Sequence, residues 1–286
     1  MNKRKTLWLR ISLGLAILLA LVACNGPGKE TKPALDKENN PPDQESVEQP
    51  IKNPEPAHTV PNIKAYARQL EGLAQKDPAY AYVNENKNFL SDKLLRLAAT
   101  RREALPYVEG YLKDQPDLAP LSSDFDLESP LPLYFQWDRR WGYLPYANGL
   151  MGTYGCAPTS IAMVLTGLGI ETSPQEMAQF IRNTGNIQDG YTSWKVFDSL
   201  EEAYPLKVRD ASLKTIQGTL SRGGFGILSL KKGNFTTDGH MVALAGLDGE
   251  GKYIINDPNS YQNSRHHWTY EELQGQVKHL WAMEKK

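Results

Sequence analysis

Gly152-Thr153-Tyr154-Gly155-Cys156-Ala157-Pro158-Thr159-Ser160 is the stretch on which the reading of the fold turns. Beyond it, Ile161, Val164, Leu165 and Leu168 recur at helical spacing. Cys156 to Leu168 is therefore predicted to be an amphipathic helix that stops at Gly169. Pro158 fits the first turn, where backbone N–H groups lack intrahelical partners. This puts a cysteine at the positive end of a helix dipole, where a thiolate is stabilised and the thiol pKa is expected to fall. Gly155 is expected to leave room beside the sulfur for a substrate carbonyl. An inert cysteine at a tight loop-to-helix turn would give the same local pattern, so the thiol needs partners before it means chemistry.

Three partners are in view. Asp238-Gly239-His240-Met241-Val242-Ala243-Leu244 opens an apolar strand with a histidine after a glycine turn, a place expected at a sheet edge facing a cleft. Tyr253-Ile254-Ile255-Asn256-Asp257-Pro258 ends another strand in a carboxylate, although Asn and Asp before Pro also start turns. Neighbouring strands would bring Asp257, or Asn256, beside the imidazole as the orienting group of a nucleophile–base–orienter triad. Gln136, in Phe135-Gln136-Trp137-Asp138, could bind a developing oxyanion together with the Cys156 N–H, while Trp137 and Trp141 read as core or cleft-wall packing.

The rest of this region reads as helices first and strands later, an α+β pattern without the alternation of a doubly wound parallel sheet. Ser173-Pro174-Gln175-Glu176 is a capping-box helix start. Further helices are predicted from Thr192 or Ser193 to Ala203, from Ser212, and from Thr269. Strands are predicted at 226–231, 240–247, 253–256 and 279–283. Thr192-Ser193-Trp194 is read as a helix cap rather than part of a cleft. Ser229-Leu230-Lys231-Lys232 fits Ser-x-x-Lys but lies on a strand without companion motifs. His266-His267 has no metal-ligand pattern around it and reads as a solvated loop.

The order Gln, then Gly-Cys-x-Pro-Thr-Ser on a helix, then Gly-His on a strand, then Asp-Pro resembles the papain-like cysteine peptidases of the bacteriocin-leader-peptidase-like (C39-like) family. The resemblance implies a papain-like fold over about residues 131–286, with Gln136, Cys156, His240 and Asp257 as oxyanion donor, nucleophile, base and orienter. Ala157 stands where family members often carry Gly. With no transporter or ATPase segment, the leader-processing role does not carry over.

The chain ahead of this domain divides on composition. Lys3, Arg4, Lys5 and Arg10 precede an apolar run from Ile11 to Ala23, too short to span a bilayer, which reads as a signal peptide over 1–23. Leu21-Val22-Ala23-Cys24 resembles a bacterial lipobox, implying cleavage before Cys24 and a diacylglyceryl group on its sulfur, an anchor of two acyl chains. With Cys24 lipidated, Cys156 is the other of the two cysteines and no intrachain disulfide can form. Residues 24–61 are Pro-rich, polar and without aromatics, a linker that cannot bury a core. Ile63, Ala67, Leu70 and Leu73, then Leu90, Leu94 and Leu97, then Leu105, Val108 and Leu112 predict a small helical extension over 62–115; residues 116–130 form a second, Pro-rich linker.

The expectation is thus a lipid-anchored, extracytoplasmic cysteine peptidase or amidase that needs neither metal nor organic cofactor. Its partners would be a peptide or cell-wall-peptide substrate and the membrane holding its anchor. The formal net charge of −1 gives no electrostatic reason for nucleic acid. A peptidoglycan-peptide hydrolase with the same triad and a non-catalytic peptide-binding module stand as alternatives.

Overall fold

The computed structural model describes residues 63–114, 127, 129–237 and 239–286. The signal-peptide segment, Cys24, the linker over 24–61 and most of the second linker lie outside the described residues. Among the described residues, no helix is long and apolar enough to cross a membrane.

The extension folds as α1 (Ile63–Ala74), α2 (Ala81–Glu85), α3 (Asp92–Thr100) and α4 (Leu105–Lys113). Ser91 caps α3 by accepting from the Leu94 N–H, and α4 begins with Pro106 in its first turn and ends at Asp114 in the left-handed region (φ 52°). Its helices bury Leu70, Val83, Leu94, Leu97, Tyr107 and Val108 in one cluster, but Phe135 and Trp137 complete that cluster from further along the chain. The Phe135 and Trp137 rings stack with centroids 4.3 Å apart. The extension's core is therefore shared with the domain that follows.

That domain opens with a short hairpin, β1 (Pro145–Tyr146) and β2 (Gly149–Leu150), and α5 (Met151–Tyr154). Next come α6 (Cys156–Gly167) and α7 (Pro174–Asn183). Gly169 (φ 72°) ends the first of these, with the Ile170 N–H reaching back to the Leu165 carbonyl. The Ser173–Glu176 capping box is made in both directions. A second hairpin, β3 (Ile187–Gln188) and β4 (Tyr191–Thr192), leads to α8 (Val196–Ala203). The remainder is β5 (Leu206–Ala211), α9 (Gln217–Leu220), β6 (Phe225–Lys231), β7 (Gly239–Leu247), β8 (Tyr253–Asn256), α10 (Tyr261–Arg265), β9 (His267–Trp268), α11 (Tyr270–Gln274) and β10 (Val277–Lys285).

These strands form one antiparallel six-stranded sheet in the order β5-β10-β6-β7-β8-β9. Both faces are covered. Ile227, Met241, Ala243, Ala245 and Met283 pack with the apolar side of α6, while Leu228, Leu230, Val242, Leu244 and Ile255 pack with Ile216, Phe235, Trp268 and Leu273. Two-sided burial is why β6 and β7 read as nearly unbroken apolar runs instead of alternating ones.

The architecture is α+β, as the pattern of elements predicts. Several local expectations shift. The helix expected from Thr192 or Ser193 begins at Val196, because Tyr191 and Thr192 pair back on Ile187 and Gln188. Ser212 starts a turn closed by its N–H on Thr215 Oγ1 at 2.9 Å, and the helix there is only α9. The last strand is longer than expected because it pairs with β5 as far as Lys285.

Candidate active site

The sulfur is placed by the helix that follows it. Cys156 is the first residue of α6 and is 2 % exposed. One turn on, the buried Ser160 hydroxyl donates to the Met241 carbonyl at 3.0 Å. Residues four apart share a helix face, so this bond fixes the Cys156 edge of α6 beside the start of β7, where His240 sits. Packing alone already requires the glycine before the sulfur: a Cβ on Gly155 would collide with the Met151 carbonyl of α5.

His240 lies at the beginning of β7, an interior strand, so the edge it occupies is the line of strand ends and not an outer strand. Its Nε2–H donates to Asp257 Oδ1 at 2.7 Å, with both side chains fully buried. Asp257, just past the end of β8, is held at both carboxylate oxygens. Oδ1 also accepts the Asn259 N–H at 2.8 Å, and Oδ2 accepts Asn263 Nδ2 at 2.8 Å. The Asp257 N–H is held by Ser264 Oγ at 2.8 Å. Asn256 turns elsewhere, donating to the carbonyls of Leu131 and Pro132 and accepting from Ser129 Oγ. Between the two candidate orienters, it is Asp257 that meets the imidazole.

With Nε2 committed to the carboxylate, Nδ1 is the ring atom left for the sulfur. Nδ1 is buried and has no well-directed hydrogen-bond partner among the described residues, yet Cys156 is near enough to act on the imidazole both by charge and as a side-chain hydrogen-bond partner. In cysteine–histidine pairs such hydrogen bonds often tighten only when substrate is bound. Burial pulls the His240 pKa down. The adjacent Asp257 carboxylate outweighs it, by charge and by hydrogen bond, and with Cys156 pushes it up to about 10. The carboxylate thus favours the charged form of the ring.

Gln136 is buried close to this constellation but does not line the cleft. Its backbone N–H donates to the Pro258 carbonyl at 2.8 Å, beside Asp257, and its Nε2 donates to the Gly152 carbonyl at 3.0 Å, one turn before the cysteine. Cys24 lies outside the described residues.

A cleft of about 460 Å³ opens over the pair, lined among others by Cys156, His240, Tyr191, Trp194, Lys231 and Lys278. Thr192 and Trp194 are thus cleft wall, while Ser193 between them caps the turn into α8, its Oγ accepting the Lys195 N–H at 3.4 Å; Lys195 itself occupies the N-cap of α8 without a side-chain bond. The sequence did not single out Tyr191, Lys231 or Lys278, nor Tyr146. The Tyr146 hydroxyl meets Thr192 Oγ1 at 2.6 Å, and its pKa is raised chiefly by burial, with a smaller contribution from Cys156. The one available signal was Asp189-Gly190. Both residues have positive φ (51° and 79°), the signature of a tight hairpin that folds Tyr191 back toward the helix. His266 and His267 pair with Glu272 and Asp248, and no metal-ligand cluster occurs among the described residues.

A cysteine opening a central helix, a histidine on the facing antiparallel sheet and a carboxylate behind the histidine define a papain-like peptidase module. The chain belongs to the Peptidase_C39 like family, whose sequence model matches residues 129–286, just over half its length. No curated protein matches the chain.

Proposed function

We propose that the protein hydrolyses peptide or amide bonds through Cys156, His240 and Asp257. The observation that carries this reading is the 2.7 Å bond from His240 Nε2 to buried Asp257, which leaves Nδ1 for the sulfur at the floor of an open cleft. The sulfur stands at the first residue of α6, beside the His240 ring. The thiolate attacks the substrate carbonyl, forming a C–S bond and an oxyanion. The Cys156 N–H would hold that oxyanion; for Gln136 to join it, its whole amide would have to leave the Gly152 carbonyl and rotate into the cleft. His240 gives its proton to the leaving nitrogen as the C–N bond breaks. Water, deprotonated by the same imidazole, then attacks the thioester and releases acid and thiolate. Asp257 keeps the ring in the required tautomer throughout.

We place this chemistry outside the cytoplasm, with Cys24 lipidated and residues 24–61 spacing the domain from the membrane, on the strength of the lipobox-like Leu21-Val22-Ala23-Cys24. A peptide stem of the cell wall is a substrate within reach of such an anchor. An electrophilic activity probe for cysteine peptidases tests the proposal: capture by wild type and none by Cys156→Ala is expected. A wild-type thiol no more reactive than that of the unfolded chain counts against it.

A further inference from the structure

Among the described residues, the walls of the cleft carry cations without acids. The protein has 32 Lys and Arg against 33 Asp and Glu, yet Lys231 and Lys278 line the cleft and no described Asp or Glu does. The two lysines come from neighbouring strands. Lys231 ends β6, its N–H bound to the Gln276 carbonyl at 2.9 Å, and Lys278 sits in the register shift between Val277 and His279 of β10. Such an irregularity turns a side chain out of the ordinary alternation. Like charges on paired strands repel, and neither lysine forms an ion pair with a described residue. Beside them stands Trp194, 40 % exposed, one of two large apolar side chains left exposed on the described surface; Lys278 Nζ lies 5.1 Å from its ring centroid. The ring does not cancel the lysine's charge, so the wall combines two cations with an aromatic face.

Resting on the hydrolase reading above, we propose that this wall is a substrate subsite for acidic peptides: a carboxylate near the scissile bond sits between Lys231 and Lys278, and its neighbouring apolar part lies on Trp194. Amides without that negative charge are poorer substrates.

The test compares anionic iodoacetate with neutral iodoacetamide as probes of Cys156, scored by mass spectrometry of the Cys156 peptide in the full chain. The ratio of their rates in wild type is expected to fall about fivefold at low ionic strength in Lys231→Gln/Lys278→Gln, and to change little in Lys252→Gln, whose lysine pairs with Glu250. Charge on the His240 ring attracts iodoacetate in every variant, so the change in ratio isolates the lysines. In parallel, two peptide aldehydes differing only in Glu or Gln next to the aldehyde compete with labelling; the Glu peptide is expected to protect Cys156 at several-fold lower concentration. Enhanced labelling with an unchanged ratio and equal protection overturns the subsite alone. No enhanced labelling in wild type overturns the hydrolase reading, and the subsite with it.

Discussion

The helical extension and the papain-like domain are held together by opposite exchanges. The domain lends apolar rings to the extension, since Phe135 and Trp137 fill the cluster around Leu70, Leu97 and Val108. The extension lends polar groups to the loops that carry the site. Arg101, fully buried, donates from Nε to the Asn259 carbonyl at 3.0 Å, and the N–H of that same residue holds Asp257. Arg96, 1 % exposed, donates to Thr237 Oγ1 at 3.0 Å, three residues before His240. Tyr107 donates to the Gly142 carbonyl and packs so closely on Gly152 that no Cβ fits there. The family match begins at residue 129, but the unit that holds the site begins no later than α1. A sequence family can mark where chemistry recurs without marking where the supporting structure starts.

If the chemistry belongs to the domain and the support to both, substitutions should separate the two. Cys156→Ala should leave the melting temperature near wild type and lower turnover by at least about 10³-fold, measured on any peptide the wild type cleaves. Trp137→Ala should do the reverse in order of cause, removing about 3–5 kcal/mol of stability in chemical denaturation. Because the core is shared, extension and domain should still unfold in one transition; two separated transitions would break the comparison. Arg101→Ala should cost about 2–3 kcal/mol by leaving the Asn259 carbonyl only its longer bond from Trp137 Nε1 (3.4 Å) and loosening the Asp257 loop. It should also slow Cys156 alkylation, which a purely structural loss would not do in the fraction that remains folded. Tyr107→Phe, losing one neutral hydrogen bond, should cost about 1 kcal/mol and leave alkylation unchanged.

Titration sharpens the same contrast on the domain side. The folded His240 value, about 10, lies above its ordinary 6.5. Its contribution to stability is therefore complete below pH 6.5 and is lost as pH rises through about 10. Thermal melts across that window should show wild type losing its advantage over Asp257→Asn as pH increases. An advantage that grew toward alkaline pH would contradict the ion pair.

What could be read from the sequence was what is local. The start of α6, the Ser173–Glu176 box and the apolar runs of β6, β7 and β8 rest on spacing within a few residues, and all are present. Cys156, His240 and Asp257 could be picked out because each sits at an element end with a glycine or proline beside it. The choice between Asn256 and Asp257 needed the fold, since both stand at the same strand end and only side-chain direction separates them. Strand β5, Leu-Lys-Val-Arg-Asp-Ala, was missed because as an outer strand it buries little and carries charge. The contacts of Arg96 and Arg101 with residues some 140 and 160 positions away, and the placing of Lys231 and Lys278 along one cleft, depend on sheet pairing and domain packing that no local pattern encodes.

The central claim is that the Cys156 sulfur works with the His240 imidazole held by Asp257. The direct measurement is the iodoacetamide rate constant of Cys156 across pH in wild type and Asp257→Asn, with the urea-unfolded chain as reference. The account predicts faster labelling than the unfolded reference at neutral pH in wild type, and a clear loss of that enhancement in Asp257→Asn. Identical profiles for the two folded proteins and the unfolded chain would contradict it.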